Sequence, residues 1–235
     1  MQTTTATALP PGQRAVQGFP RFGTHLHRPP PAVPEVPTLE IGGAVTAPLA
    51  VPLSDLAALP RREITADFHC VAGWSATGLR WEGVPFADFY RQVIEPVVLP
   101  GAAVTHILFG GLDGYRIGVT IEDAMEDDVL LAQHLDGRPL DGDHGAPARL
   151  VSPQQYGFIN AKHLCRIEVH TSEPKDVFRG HPAAQLFLRL YVRHPRARVW
   201  HEERHRHLPA WMARLLGRAV TGRLMRWSAR DPRSG

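Results

Sequence analysis

With 235 residues, 43% of them hydrophobic and 21% charged, the chain has a globular composition and enough length for one substantial core. Two cysteines, Cys70 and Cys165, are too few for a disulfide framework, and their spacing fits no zinc ribbon. Both are expected to stay reduced, which suits a cytoplasmic location. The net charge of +3 hides an asymmetry: residues 186–235 carry twelve arginines against three acids, a net +9, and the remainder is −6. The basic surface is therefore local and does not mark the whole chain as a nucleic-acid binder.

Residues 1–17 are rich in Thr, Ala and Pro and contain neither an apolar export core nor a twin arginine, so they read as a disordered lead-in. No stretch approaches the 18 or so uninterrupted apolar residues of a membrane span. From Phe19 to Pro31 the prolines forbid helix and force an extended arm that must lie over the domain. Thr38 to Ile41 with Gly42 and Gly43 predicts a strand and turn; Ser54 to Leu59 predicts a short helix capped by Ser54 and stopped by Pro60. Glu63 to Cys70 alternates in strand period and runs into a turn at Gly73. Phe68 and Cys70 then share one face unless the chain bulges at His69. A thiol at that strand end is either a buried structural cysteine or a soft ligand facing a crevice.

Phe86, Phe89, Tyr90, Val93 and Ile94 have the spacing of a core-facing helix ended by Pro96. Ala103 to Phe109 and Tyr115 to Val119, around Gly110-Gly111 and Asp113-Gly114, predict a hairpin, followed by a helical turn at Thr120 to Asp123. Val129 to Leu131 is a short buried run, Asp136 to Leu140 a turn between strands, and Leu164 to Val169 a last strand carrying Cys165 as a structural thiol. Many short strands with few short helices predict an α+β domain built on mixed β-sheet. No GxGxxG or Walker A sequence supports a nicotinamide or nucleotide-hydrolysis reading.

Beyond residue 174 the character changes to a basic, largely helical extension over 175–235, leaving 18–174 as the main domain. His201 and His205 are four apart, but no carboxylate or cysteine stands at ligand spacing, so a solvated charged helix is expected there rather than zinc. Leu208, Trp211, Met212, Leu215, Leu216, Ala219, Val220, Leu224 and Trp227 form one stripe opposite Arg214, Arg218 and Arg226. Such a basic amphipathic helix docks on the chain's own domain or a second subunit, or else on a membrane surface or a partner protein through 208–227.

Asp67 to Ser75, followed by Gly78 to Pro85, resembles the cofactor-cysteine segment of the sulfite-oxidase-like molybdopterin oxidoreductase family. Later blocks keep the family order: Asp113-Gly114-Tyr115, Asp128 to Ala132, His144 to Pro147 with Arg149-Leu150-Val151, and Tyr156-Gly157 with Ala161-Lys162-His163. The resemblance covers residues 20 to 172 and implies a domain of the sulfite-oxidase catalytic type. It further implies a molybdopterin-dependent oxidoreductase that moves an oxygen atom at a molybdenum ligated by the catalytic thiolate of Cys70. The cofactor-binding set it implies is Arg21, His25, His27, Arg149, Tyr156, Asn160 and Lys162, with Arg28 on the same arm and His144 beside Arg149.

Two departures matter. Ile159-Asn160 stands where related sequences carry Lys-Ser, and Ala72-Gly73-Trp74-Ser75 stands where true sulfite oxidases have an arginine-rich stretch, which argues against sulfite. The substrate expected is a small molecule, and with no CxxCH haem motif the electrons would pass to or from a separate protein. The alternative, kept alive by Ile159-Asn160, is a module that retains the fold and cofactor pocket without turnover and docks elsewhere through its basic tail.

Overall fold

Alternating apolar residues and glycine or proline turns place eleven strands among the described residues of the computed structural model, which are 8–22, 29–174, 193–212 and 214–215. In chain order they are β1 (Arg14–Ala15), β2 (Thr38–Gly43), β3 (Leu49–Pro52), β4 (Arg62–His69), β5 (Trp74–Pro85), β6 (His106–Gly111), β7 (Arg116–Thr120), β8 (Leu130–Leu135), β9 (Arg138–Pro139), β10 (Arg149–Val151) and β11 (Leu164–His170). One sheet runs β3-β2-β11-β6-β7, antiparallel except for the parallel β2/β11 pair. The other runs β1-β5-β8-β10, with β4 also paired to β5 and β9 to β8. Two short helices, α1 (Phe86–Phe89) and α2 (Ile121–Ala124), complete the mixed α+β architecture.

The expected hairpin is β6–β7: the Gly111 amide bonds the Tyr115 carbonyl at 2.9 Å, and Asp113 Oδ1 accepts from the Tyr115 amide at 3.0 Å. At α2 the Thr120 hydroxyl accepts the Asp123 amide, a side-chain cap with acids in the first turn. Two helices differ from expectation. Leu53–Ala58 is a 3₁₀ turn preceded by Pro52, and the Ser54 hydroxyl bonds Asp55 instead of capping it. After α1 the chain widens into a π-helical turn, Tyr90–Ile94, then a 3₁₀ turn, Glu95–Val97; apolar spacing alone is the same for both windings.

The larger core draws on both sheets, from Leu39 and Ile41 through Phe86, Phe89 and Phe109 to Leu150 and Ile167. A second cluster, with Cys70, Trp74, Leu79 and Trp81, lies against the β4–β5 hairpin.

The lead-in read as disordered over 1–17 is ordered from residue 8 onward: β1 pairs in parallel with Trp74 and Ser75. The boundary at 174 does not hold for residues 193–207 either. The Tyr156 amide donates to the Ala197 carbonyl and the Val199 amide to the Gln154 carbonyl, both at 2.9 Å. Ala197 and Val199 are fully buried in the larger core, and the Arg196 guanidinium forks onto Asp123. Burying two apolar side chains and pairing Arg196 with the buried Asp123 carboxylate is what overrides the polar look of this stretch. His201 sits in a turn and His205 in an isolated bridge to Arg193, so the two do not share a helix face. Most of the stripe at 208–227 lies outside the described residues; Trp211 and Leu215, at its start, are exposed.

Candidate active site

Residues 70–73 join β4 to β5 in a turn closed by two backbone bonds, the Cys70 amide to the Trp74 carbonyl at 2.8 Å and the Gly73 amide to the Cys70 carbonyl at 2.9 Å. Gly73 holds φ at +93°, a conformation that residues with a Cβ rarely adopt. The strand bulge lies between Ala66 and Phe68 rather than at His69. Cys70 is buried, 4% exposed, and the Ala72 amide reaches its sulfur. Burial pushes the thiol up to about 12, against the opposing pull of that amide and of Arg204.

A polar chain backs the turn. Gln13, from the lead-in, donates its amide to the Cys70 carbonyl at 3.1 Å and accepts the Ser75 hydroxyl at 3.1 Å. With the Ser75 proton directed to Gln13, the 2.8 Å contact between His69 Nδ1 and the Ser75 oxygen requires the proton to sit on Nδ1. Burial lowers the His69 pKa, keeping the ring neutral. His69 therefore sits behind the loop, hydrogen-bonded to Ser75.

The second half of the site gathers Arg149, Lys162 and Arg21. Arg149, on β10, is fully buried with its guanidinium between three rings: Trp81 at 5.0 Å, and Phe19 and Phe68 at 5.5 Å each. It donates to the carbonyls of His144, Leu150 and Asn160, and among the described residues no carboxylate pairs with it. Desolvation brings its pKa down to about 9. Lys162 donates to the Asp143 carbonyl at 2.6 Å; burial first, then the charges of Arg149 and Arg21, bring its pKa down to about 7. Arg21 contacts Asp143 at 3.4 Å. The fully buried Arg149 and the half-buried Lys162, whose pKa the nearby Asp143 and Asp113 charges pull partly back up, form a basic cluster that favours an anion.

Phe68 links the two halves. It precedes the thiol by two residues, stacks near Trp74 (5.7 Å) and shelves Arg149. A Cβ at Gly157 would lie 2.2 Å from its ring, so glycine is what lets the Tyr156-Gly157 segment close over it. The extended arm does cover this region: Phe19 packs on Phe68, Trp81 and His144, and Phe22 on Trp74. His144 holds the arm through its Nε2, 2.8 Å from the Phe19 carbonyl.

Of the predicted site residues, the structure therefore brings together Arg21, Arg149 and Lys162, while Cys70 belongs to the apolar cluster against which Phe68 packs. His25, His27 and Arg28 lie outside the described residues. Tyr156 is a fully buried ring beneath Arg204. Asn160 turns inward: its Oδ1 accepts the Ser152 amide at 2.7 Å and its Nδ2 faces the Ser152 and Tyr156 carbonyls. It shapes the loop that carries Arg149's third acceptor and has no donor left to offer outward. Cys165, on β11, is half-buried against the Gly110 carbonyl. Sequence reasoning missed Gln13, set aside with the lead-in, and Arg204, set aside with the tail. Its available signal was the apolar alternation of Ala197 and Val199 just upstream of Arg204.

Among the described residues no three His, Cys, Asp or Glu side chains assemble as a metal site, and no helix is long and apolar enough to cross a membrane. The chain is 29% identical over 175 residues to the uncharacterized oxidoreductase YuiH of Bacillus subtilis (strain 168), covering 71% of this chain and 81% of that one. It is 27% identical over 225 residues to the protein-methionine-sulfoxide reductase catalytic subunit MsrP of Xanthomonas axonopodis pv. citri (strain 306), covering 86% and 67%. A solved structure, the sulfane dehydrogenase SoxCD from Paracoccus pantotrophus, aligns with a TM-score of 0.49 at 27% identity, over 57% of this chain and 38% of that one. Residues 27–178 match the family described as oxidoreductase molybdopterin binding domain. The chain belongs to that family and is a molybdenum-cofactor-dependent oxidoreductase of the sulfite-oxidase-like class.

Proposed function

We propose that the chain performs oxygen-atom transfer at a molybdenum held by the Cys70 thiolate, with a small sulfoxide and its thioether as the substrate pair. The observation that carries this reading is a thiol held in a tight turn and packed in the same apolar cluster as Phe68, whose ring lies 5.5 Å from the buried Arg149 guanidinium, with Lys162 close to Arg149. That donor set fits the cofactor. A dithiolene-held metal asks the protein for one further soft ligand, and the pterin carries a phosphate that Arg149 and Lys162 would neutralise. When bound, the cofactor supplies two-electron oxygen-atom exchange with water as the other oxygen partner.

The chain's own residues do the rest. Coordination displaces the thiol proton that burial otherwise retains, and the Ala72 amide stabilises the resulting charge on sulfur. Gln13, Ser75 and neutral His69 hold the turn from behind. Trp81, Phe68 and Phe19 shield the Arg149 guanidinium from water, which strengthens the charge-assisted bonds it makes. The sulfoxide assignment takes its support from the protein-methionine-sulfoxide reductase relative. Reducing a sulfoxide consumes two electrons and two protons and yields a thioether and water, so a separate electron-transfer protein belongs to the same proposal, as does the cytoplasmic location suggested by two free thiols. The inward-turned Asn160 favours the second reading, a cofactor-holding module without turnover.

The test is molybdenum by plasma mass spectrometry and pterin by fluorescence after oxidation, on wild type and Cys70→Ser from a molybdate-supplied host. Sulfoxide reduction with a reduced dye follows. Near-stoichiometric metal and pterin, metal loss in the variant, and dye oxidation by wild type are expected. Absence of pterin from folded wild type would refute the reading; a loaded protein inert to sulfoxides, N-oxides, nitrate and sulfite would leave the module without turnover.

A further inference from the structure

Arg204 lies beyond the 27–178 family span and yet ends at the cysteine turn. It is 1% exposed, its guanidinium sits over the Tyr156 ring at 5.0 Å, and among the described residues no carboxylate pairs with it. One terminal nitrogen donates to the Val71 carbonyl at 2.6 Å and the other to the Pro11 carbonyl at 3.3 Å. Val71 follows Cys70 directly, and Pro11 stands two residues before Gln13, which itself donates to the Cys70 carbonyl. One side chain thus ties the ligand turn to the segment that backs it. Arg204 Nε and the Trp74 indole nitrogen are buried here without a hydrogen-bond partner among the described residues, and the Tyr156 hydroxyl faces the Arg204 and Gln13 side chains. Orphaned polar atoms clustered around one turn are costly and mark a place where a further polar group is received.

We propose that Arg204 is a positioning residue for Cys70: by holding the Val71 and Pro11 carbonyls together it fixes the direction in which the sulfur is presented to the metal. The inference rests on Cys70 being the ligand. The two terminal nitrogens of one forked, permanently charged guanidinium each reach a different carbonyl, a geometry that the single nitrogen of lysine does not reproduce.

The experiment uses the full chain, with Arg204→Met and Arg204→Lys. Amide hydrogen exchange is measured on metal-free protein, and the thiolate-to-molybdenum charge-transfer band on loaded protein. In Arg204→Met, exchange at the Cys70 and Gly73 amides is expected to quicken at least about tenfold, the loss of one charge-assisted hydrogen bond, while the β6–β7 hairpin keeps its rate. The charge-transfer band shifts in the loaded variant, and Arg204→Lys, which restores one tie, falls between. Native exchange at the turn together with a native band in Arg204→Met would overturn the proposal. Should that variant fail to fold, a folded Arg204→Lys with both native properties would overturn it equally. Wild type that takes up no molybdenum would sink the ligand reading instead, and turn exchange in metal-free protein would still decide whether Arg204 grips the turn.

Discussion

Replacing Arg149 with methionine separates an anion anchor from a structural core residue. Methionine keeps the unbranched stem and removes the charge. In metal-free protein the wild-type guanidinium is held at about 9 instead of 12.5, which corresponds to roughly 5 kcal/mol of burial penalty as an upper bound. Losing the charge relieves that penalty. It also leaves the carbonyls of His144, Leu150 and Asn160 without this donor, at about 1 kcal/mol each, and forfeits three ring contacts worth about 0.5–1 kcal/mol each. The opposing contributions nearly cancel, so the metal-free variant should melt within about 5 °C of wild type, at about 2–4 °C per kcal/mol for a domain of this size. Cofactor retention should instead fall by about 10- to 100-fold, because a charge-assisted bond of about 1.5–3 kcal/mol is lost. Scanning calorimetry with and without molybdate supply, alongside metal content, reads both quantities. A metal-free variant destabilised by more than about 4 kcal/mol that still loads fully would show that Arg149 is a core residue and that the anion reading is wrong.

Lys162 predicts a pH dependence of opposite sign to that of a salt-bridged lysine. Its folded pKa of about 7 lies below the unfolded value of 10.5, so as pH rises from 7 the folded state releases a proton that the unfolded state keeps, and stability rises. Metal-free wild type should gain up to about 1.4 kcal/mol per unit between pH 7 and 9 in urea melts, and Lys162→Met should flatten that slope; a wild-type loss over the same window contradicts the assignment. Above pH 9 the raised Cys70 thiol acts in the other direction. Gly157→Ala must push the Phe68 ring aside, since the new carbon lies 2.2 Å from it; about 1–3 kcal/mol of overpacking and a drop in loading are expected from the same melts and metal analysis, and native values for both would count against Phe68 as the shared shelf.

What could be read in the sequence was local. The β4 alternation, the break at Gly73, the β6–β7 hairpin and the Thr120 cap depend on residues within a few positions of one another, and each formed where its pattern stood. The long strand β5 was not legible as one element, because its pairing with β8 shifts register between Glu82 and Gly83 and the alternation breaks there. Arg149 and Lys162 stood out by family resemblance, while the burial of Arg149 among three rings emerged only from the fold. Gln13 and Arg204 were invisible for a physical reason: their partners at the cysteine turn are 57 and 133 residues away, and composition around them describes a proline-rich arm and an arginine-rich tail. Only closure of those long loops places them in the interior.

The grip of Arg204 on the cysteine turn also orders events in time. The ribosome releases Cys70 early and Arg204 late, so the turn leaves the exit tunnel before its clamp has been synthesised. A nascent chain stopped just past residue 178 would possess the whole family span and lack the group that ties Val71 to Pro11. The tie between Val71 and Pro11 therefore forms only after residue 204 has been made and has folded back onto the turn.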